Sequence, residues 1–291
     1  MAAIAGMAPR VEAAAPGGAL RQRFISAAVL LPIAFGAAWL GGGGWALLVG
    51  IFAMAMAWEW SGVCGGQTLT NPFRAAIAPA GLAAMIAVAC AVGLAAASIP
   101  LAMGALALGA IAAAVLASGG RRGSRPGWQA LGVAYVGLPS IAIVWIRAQP
   151  GDGLAVLAWM LSLVIAVDTG AYVAGRLIGG PKLAPRISPK KTWAGLGGGI
   201  AGALLIGSVA AFLLELPRAL PLVLASGGLA VVEQAGDLAE SAFKRRFGVK
   251  DSSQLIPGHG GVLDRVDGLL AVSIAVGAAG YYLGGFAEWM R

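Results

Sequence analysis

Charge is scarce in this chain. Asp, Glu, Lys and Arg make up only 11% of its 291 residues, less than half the roughly 25% of a soluble globular domain. That excludes intrinsic disorder and nearly excludes a soluble enzyme. Cysteine is limited to Cys64 and Cys90, both in or beside apolar segments, so no disulfide framework is implied. Histidine occurs once, at His259. With no cysteine pair at ligand spacing, a His/Cys zinc site is absent. The first 22 residues lack a compact apolar core next to a basic start, so they do not read as a secretory signal.

Apolar residues dominate instead. They form 59% of the chain, with 46 glycines and a mean hydropathy of +0.85. The net charge of +8 and pI of about 10.1 suit either nucleic acid or an anionic membrane surface. A chain this apolar cannot keep its basic residues on a solvated globule, so the membrane reading prevails and a nucleic-acid partner is not expected. Nine apolar segments follow one another: Phe24–Leu40, Trp45–Val63, Ala75–Leu94, Ile99–Ala117, Leu131–Ile146, Leu154–Leu177, Trp193–Leu214, Leu220–Ala235 and Val266–Phe286. Each is near the roughly 20 residues that cross a bilayer as a helix. The expected fold is all-α: a polytopic integral membrane protein of about nine transmembrane helices. Residues 1–23 read as a cytoplasmic tail, 24–147 as N-terminal transmembrane helices, and 148–291 as a C-terminal transmembrane region. With nine crossings, every one of the 20 Lys and Arg except Arg147, Arg218 and Arg291 lies on the side of the N-terminus. The positive-inside rule places that side in the cytoplasm.

Several carboxylates stand where they are costly. Glu59 is near the end of the second segment and Asp168 is inside the sixth. Glu233 and Asp237 close the eighth, while Asp264 and Asp267 open the ninth. A carboxylate at a helix centre costs roughly 2.5–3.5 kcal/mol, and such acids usually face a bundle interior or a wet cavity. All but the deeper Asp168 fall toward the cytoplasmic side, which predicts one shared polar chamber. The plainer alternative pairs each acid locally, for example Asp168 with Tyr172 or Arg176. Glu233, Asp237 and Ser241 recur every four residues and share a face if the helix continues; Asp264 and Asp267 share another. Two acidic faces at one depth suit Mg²⁺, which takes one or two carboxylates and completes its shell with water and phosphate.

Two loops on the cytoplasmic side can hold phosphates. The first, Gly179 to Thr192, is stiffened by prolines and delivers Lys190 and Lys191 just before a helix N-terminus. The second is expected to contain Lys244, Arg245, Arg246 and Lys250, and to run through Pro257-Gly258-His259-Gly260-Gly261 to Asp264 and Arg265. Its glycines permit close backbone approach to a ligand. Either loop alone would be a membrane anchor. Beside carboxylates they describe a site for a polyphosphate and a divalent metal.

Residues 241–267 carry Ser241, Lys244-Arg245, Lys250-Asp251, Pro257, His259-Gly260-Gly261, Asp264-Arg265 and Asp267 without a gap. This run resembles the signature of phosphatidate cytidylyltransferases, the CDP-diacylglycerol synthases. Upstream, Asp168-Thr169-Gly170-Ala171-Tyr172, Gly175-Arg176 and Ile187 to Trp193 also look like that family. One departure is Ala194, where the family usually carries Glu. The resemblance implies transfer of the cytidylyl group of CTP to phosphatidate, giving CDP-diacylglycerol and pyrophosphate. It also implies a Mg²⁺ requirement, with a second metal ion or a monovalent cation left open. The partners implied are CTP, phosphatidate in the leaflet, membrane lipids and a second copy in a homodimer. The setting is a bacterial cytoplasmic (inner) membrane with the site facing the cytoplasm. On this reading residues 148–291 form the catalytic region. Asp237 and Asp264 are the leading metal ligands, Asp267 and Asp168 further candidates. Asp264, Asp237, Lys250 and Arg265 form the catalytic set, while Ser188, Lys190, Lys191, Ser241, Lys244, Arg245, His259, Gly260 and Gly261 bind substrate. The competing readings are a CTP-dependent enzyme acting on another lipid phosphate or a polyprenol and, from a different class, an ion-coupled transporter.

Overall fold

The computed structural model describes residues 16–65, 79–95, 97–119, 125–256 and 259–284, with the side chains of 16–27 and 79 excepted. Most of the expected N-terminal tail, and the positions of Arg74, Arg121, Arg122, Pro257, Gly258, Phe286 and Arg291, lie outside the described residues. Among the described residues the chain forms nine α-helices and one two-stranded ribbon. The helices are α1 (Pro16–Leu40), α2 (Gly42–Cys64), α3 (Pro79–Ala95), α4 (Ile99–Ser118), α5 (Pro126–Ala148) and α6 (Gly153–Leu177). After the ribbon, β1 (Lys182–Ala184) and β2 (Ser188–Thr192), come α7 (Trp193–Leu213), α8 (Ala219–Arg246) and α9 (Leu263–Tyr282).

Each apolar segment has its helix. Six of them, α2, α4, α5, α6, α7 and α8, are long and apolar enough to cross a membrane. The molecule is an all-α integral membrane protein. The ribbon is an addition to the expected all-helical architecture. Pro181, Pro185 and Pro189 keep the segment extended, and it closes as an antiparallel pair with Lys182 opposite Thr192 and Ala184 opposite Ser188.

The largest departure is α8. Its apolar stretch ends near Ala235, but the helix continues to Arg246, about three more turns. Lys244, Arg245 and Arg246 therefore lie in a last helical turn, where cations complement the helix dipole, and not in the expected loop. Within this extension Glu240 and most of Lys244 are buried against protein, while Arg245 and Arg246 are exposed.

Two helix groups meet at α5 and α9. In the N-terminal group α5 packs against α2, α3 and α4; in the C-terminal group α7 packs between α6 and α8; α9 contacts both α5 and α8. Near the C-terminal ends of their helices, Trp60 of α2 stacks on Phe243 of α8 at 3.7 Å between ring centroids. Its indole donates to the Trp128 carbonyl of α5 at 2.7 Å. Gly132 of α5 makes room: a Cβ there would lie 2.2 Å from the Trp60 ring.

Candidate active site

Glycine brings α6 and α7 into backbone contact. A Cβ on Gly198 would lie 2.4 Å from the Gly170 carbonyl oxygen, and one on Gly202 would lie 2.6 Å from that of Ala166. Such close approach is what small residues provide between membrane helices. It turns Asp168, Tyr172 and Arg176, each four residues apart, into one stripe beside the ribbon. The β2 strand ends on Thr192, whose hydroxyl accepts from the Gly195 N–H at 3.0 Å and caps α7. The strand therefore feeds Lys190 and Lys191 directly into a helix N-terminus. Its first turn carries no acidic residue, Ala194 included.

These elements and α8 enclose a cavity of about 340 Å³, with Asp168, Arg176, Lys190, Lys191, Thr192 and Asp237 among its lining. Lys191 forms an ion pair with Asp237. The other Asp237 oxygen accepts from the Ser241 hydroxyl at 3.3 Å, so the four-residue spacing does set one face. Glu233, one turn earlier, is buried, accepts from Gln234 Nε2 at 2.7 Å and lies beside Asp168. Gly268 of α9 gives it space, since a Cβ there would meet Glu233 Oε1 at 2.5 Å. Asp168 is not paired locally with Tyr172 or Arg176. Arg176 donates to the Tyr172 hydroxyl at 2.7 Å, while Asp168 feels Asp237, Glu233, Lys191 and Arg265.

The signature segment forms a second, adjoining cluster. The Lys244 ammonium lies 2.7 Å from Asp264 Oδ1, as a hydrogen bond, and 2.7 Å from Glu240 Oε2, as an ion pair outside hydrogen-bond geometry. Asp264 Oδ2 accepts from the N–H groups of Ser252 and Gly261, both at 3.0 Å. Lys244 is thus held between two acids, and Arg245 is exposed and turned to the Val249 carbonyl. Gly260, at φ +91°, makes the tight turn in which Ile256 and Gly260 exchange backbone hydrogen bonds. Arg265 Nε donates to the His259 carbonyl at 2.8 Å, and the buried His259 Nδ1 has no hydrogen-bond partner among the described residues. Lys250 is exposed, Asp267 bonds the Gly268 N–H at 2.9 Å, and Ser188 opens β2 away from the residues lining the cavity.

Glu59 is the acid whose role the sequence does not disclose. It is fully buried and accepts four hydrogen bonds: from the hydroxyls of Ser252 (3.2 Å) and Ser253 (2.5 Å) and the N–H groups of Val262 (2.8 Å) and Leu263 (2.7 Å). A carboxylate from α2 thereby caps α9 and shapes the loop before it. Glu240 and Arg176 were also absent from the expected site. The available signals were the four-residue step from Glu240 to Lys244 and the same step from Tyr172 to Arg176.

Among the described residues, no three His, Cys, Asp or Glu side chains close on one point. Among those residues a cation finds at most two such side chains together, and the two that line the cavity are the carboxylates Asp168 and Asp237. That donor set fits a hard ion such as Mg²⁺, whose remaining ligands come from water and phosphate.

Comparison with known proteins places the chain in a family. A model described as the cytidylyltransferase family matches residues 21–283. A phosphatidate cytidylyltransferase of Brucella suis biovar 1 (strain 1330) is 38% identical over 254 residues, covering 87% of this chain and 90% of that protein. One from Pseudomonas aeruginosa (strain PAO1) is 40% identical over 260 residues, covering 87% and 93%. One from Staphylococcus haemolyticus (strain JCSC1435) is 43% identical over 143 residues, covering 49% and 54%. These matches do not favour the transporter reading. With matches running through both helix groups, the chain belongs to the cytidylyltransferase family.

Proposed function

We propose that this protein joins CTP and phosphatidate to give CDP-diacylglycerol and pyrophosphate. The observation that carries the reading is a cavity of carboxylates and lysines at the ends of apolar helices, where a water-soluble nucleotide meets a lipid. A phosphate oxygen of phosphatidate attacks the α-phosphorus of CTP. The bond from that phosphorus to the β-phosphate bridging oxygen breaks, and pyrophosphate leaves. The nucleophile is already anionic, so no strong base is needed, and catalysis is positioning and charge neutralisation.

Asp237 and Asp264, with Asp168 and Asp267 in support, are the residues to hold Mg²⁺. When bound, it neutralises charge on the triphosphate and draws electrons from the reacting phosphorus. Lys190, Lys191, Lys250 and Arg265 bind phosphate oxygens, Ser241 orients Asp237, and Lys244 holds Asp264 in place. The remaining helices α1, α3 and α9 complete nine crossings. The Lys/Arg asymmetry supports a cytoplasmic N-terminus and a site on the cytoplasmic side of a bacterial inner membrane. A homodimer is the assembly that the family resemblance implies.

The test is turnover by purified protein with Mg²⁺ and either CTP or ATP, offered phosphatidate, polyprenyl phosphate and other lipid phosphates. The expected outcome is CDP-diacylglycerol and pyrophosphate from CTP and phosphatidate, far faster than any product from ATP. Product from a polyprenyl phosphate and none from phosphatidate would replace this substrate. Equal rates with ATP would remove the cytidine specificity.

A further inference from the structure

We propose that Arg176 and Tyr172, at the cytoplasmic end of α6, with Lys190 across the cavity, form the subsite for the phosphomonoester of the lipid substrate, leaving the signature segment to the triphosphate of CTP. This rests on the phosphatidate reading above and divides its site in two.

Phosphatidate imposes a constraint that CTP does not. Its phosphate stays at the depth of the head groups while its acyl chains remain in hydrocarbon. Its subsite must therefore place a cation at that depth, directly beside a surface open to lipid. The end of α6 does both within two turns. Arg176 is the penultimate residue of the helix. Around it Tyr172, Leu177 and Ile178 are exposed by 63%, 80% and 74%, and Trp193, at the start of α7, by 58%. Tyr and Trp are the side chains that settle at a membrane interface.

The neighbouring cations are also deployed differently from Arg176. Lys244 is held between Glu240 and Asp264, Lys191 by Asp237, and Arg265 by the His259 carbonyl. Among the described residues Arg176 has no ion pair; one of its N–H groups goes to the Tyr172 hydroxyl. That bond holds the guanidinium on the cavity wall and leaves its other donors for a ligand. A planar fork of donors is matched to phosphate, bidentately. Gly175 lets the ribbon close in from the other side, since a Cβ there would lie 3.1 Å from Thr192 Oγ1. This brings exposed Lys190 to the same cavity. Lys250, in contrast, stands exposed in the loop after α8, where a nucleotide arriving from water meets it first.

The experiment compares wild type with Arg176→Ala, Arg176→Lys and Tyr172→Phe in detergent micelles. Binding of short-chain phosphatidate is measured without CTP, with phosphatidylcholine and inorganic phosphate as controls. The KM for each substrate is then measured separately. Losing a hydrogen bond to a charged group predicts that Arg176→Ala weakens phosphatidate binding and raises its KM by at least about 10-fold, with the KM for CTP within about twofold of wild type. Arg176→Lys recovers part of the loss, and Tyr172→Phe costs less than Arg176→Ala. Because Arg176 is exposed, unchanged thermal unfolding is expected for all three variants. Unchanged phosphatidate binding, a rise confined to the KM for CTP, or equal competition by inorganic phosphate would overturn the subsite. A wild-type protein that binds phosphatidate through Arg176 but forms no CDP-lipid would remove the reaction and keep the subsite.

Discussion

Glu59 and Val262 are 203 residues apart in sequence and joined by a 2.8 Å hydrogen bond from the Val262 N–H to the Glu59 carboxylate. Through it, a helix of the N-terminal group fixes the loop on which the C-terminal cluster depends. Glu59→Gln keeps the size but puts an NH₂ where one backbone N–H needs an acceptor. Leaving buried donors unpaired costs roughly 1–3 kcal/mol each. The expected result is lower thermal stability together with at least about a tenfold loss of turnover. Gly261→Ala is expected to act alike without altering any charge, because its Cβ would lie 2.8 Å from Glu59 Oε1. Wild-type stability and turnover in both variants would mean that the loop keeps its shape without Glu59.

Asp237 and Asp264 each carry a lysine partner, yet the two differ in what surrounds them. Asp237→Asn leaves Lys191 unpaired at the cavity wall, and Asp264→Asn leaves buried Lys244 with Glu240 alone. Each is expected to lower Mg²⁺-dependent CDP-lipid formation by at least about 10²-fold, as when one preorganised electrostatic group is lost. Asp264→Asn is expected in addition to lower thermal stability. Glu233→Gln, whose carboxylate bonds its neighbour Gln234, is expected to cost less. Rates matched for folded protein, measured across a Mg²⁺ titration, decide the order. Near-normal rates with an unchanged Mg²⁺ requirement would move the metal toward Asp168 and Asp267.

Gly132 is expected to tolerate no side chain. A Cβ there would lie 2.2 Å from the Trp60 ring, and that ring is already fixed by Phe243 and the Trp128 carbonyl. Overpacking of this kind costs typically about 1–3 kcal/mol. Gly132→Ala is therefore expected to lower the unfolding temperature in detergent. Glycine to alanine at Gly228, where a Cβ meets nothing within 4 Å, is the control and is expected to leave it unchanged.

The charge asymmetry makes a topological prediction. A reporter fused after Arg291 is expected outside the cytoplasm, and one fused before the first helix inside it. A C-terminal reporter in the cytoplasm would mean an even number of crossings.

The helices were legible because apolar runs of bilayer length leave few alternatives, and the start of α7 was legible to the residue at Trp193. The end of α8 was not. Glu233, Gln234, Asp237, Glu240 and Lys244 break the apolar run exactly as a loop would, and only the acids and cations of α9 and the ribbon explain why a helix continues there. A polar region was legible, since carboxylates in apolar segments need polar surroundings, although it forms two adjoining clusters where one chamber was expected. Its internal pairing was not. Glu59 could be given no partner, because the groups it accepts from are two serines and two backbone N–H groups in a distant loop. Lys244 read as a phosphate ligand because nothing in one dimension says that Glu240 and Asp264 flank it.

The continuity of α8 ties this chemistry to the lipid around it. The helix has 28 residues, about 42 Å of rod, against a hydrocarbon core of roughly 30 Å. Its apolar part is seated by the bilayer, while its last turns carry Asp237, Glu240 and Lys244 against α9 and the ribbon. In a thinner or thicker membrane such a rod changes its tilt, and its far end then swings relative to its neighbours. Hydrophobic mismatch is thereby expected to reach the Lys191–Asp237 and Lys244–Asp264 contacts from a distance, and turnover by protein reconstituted in bilayers of different thickness is the measure of it.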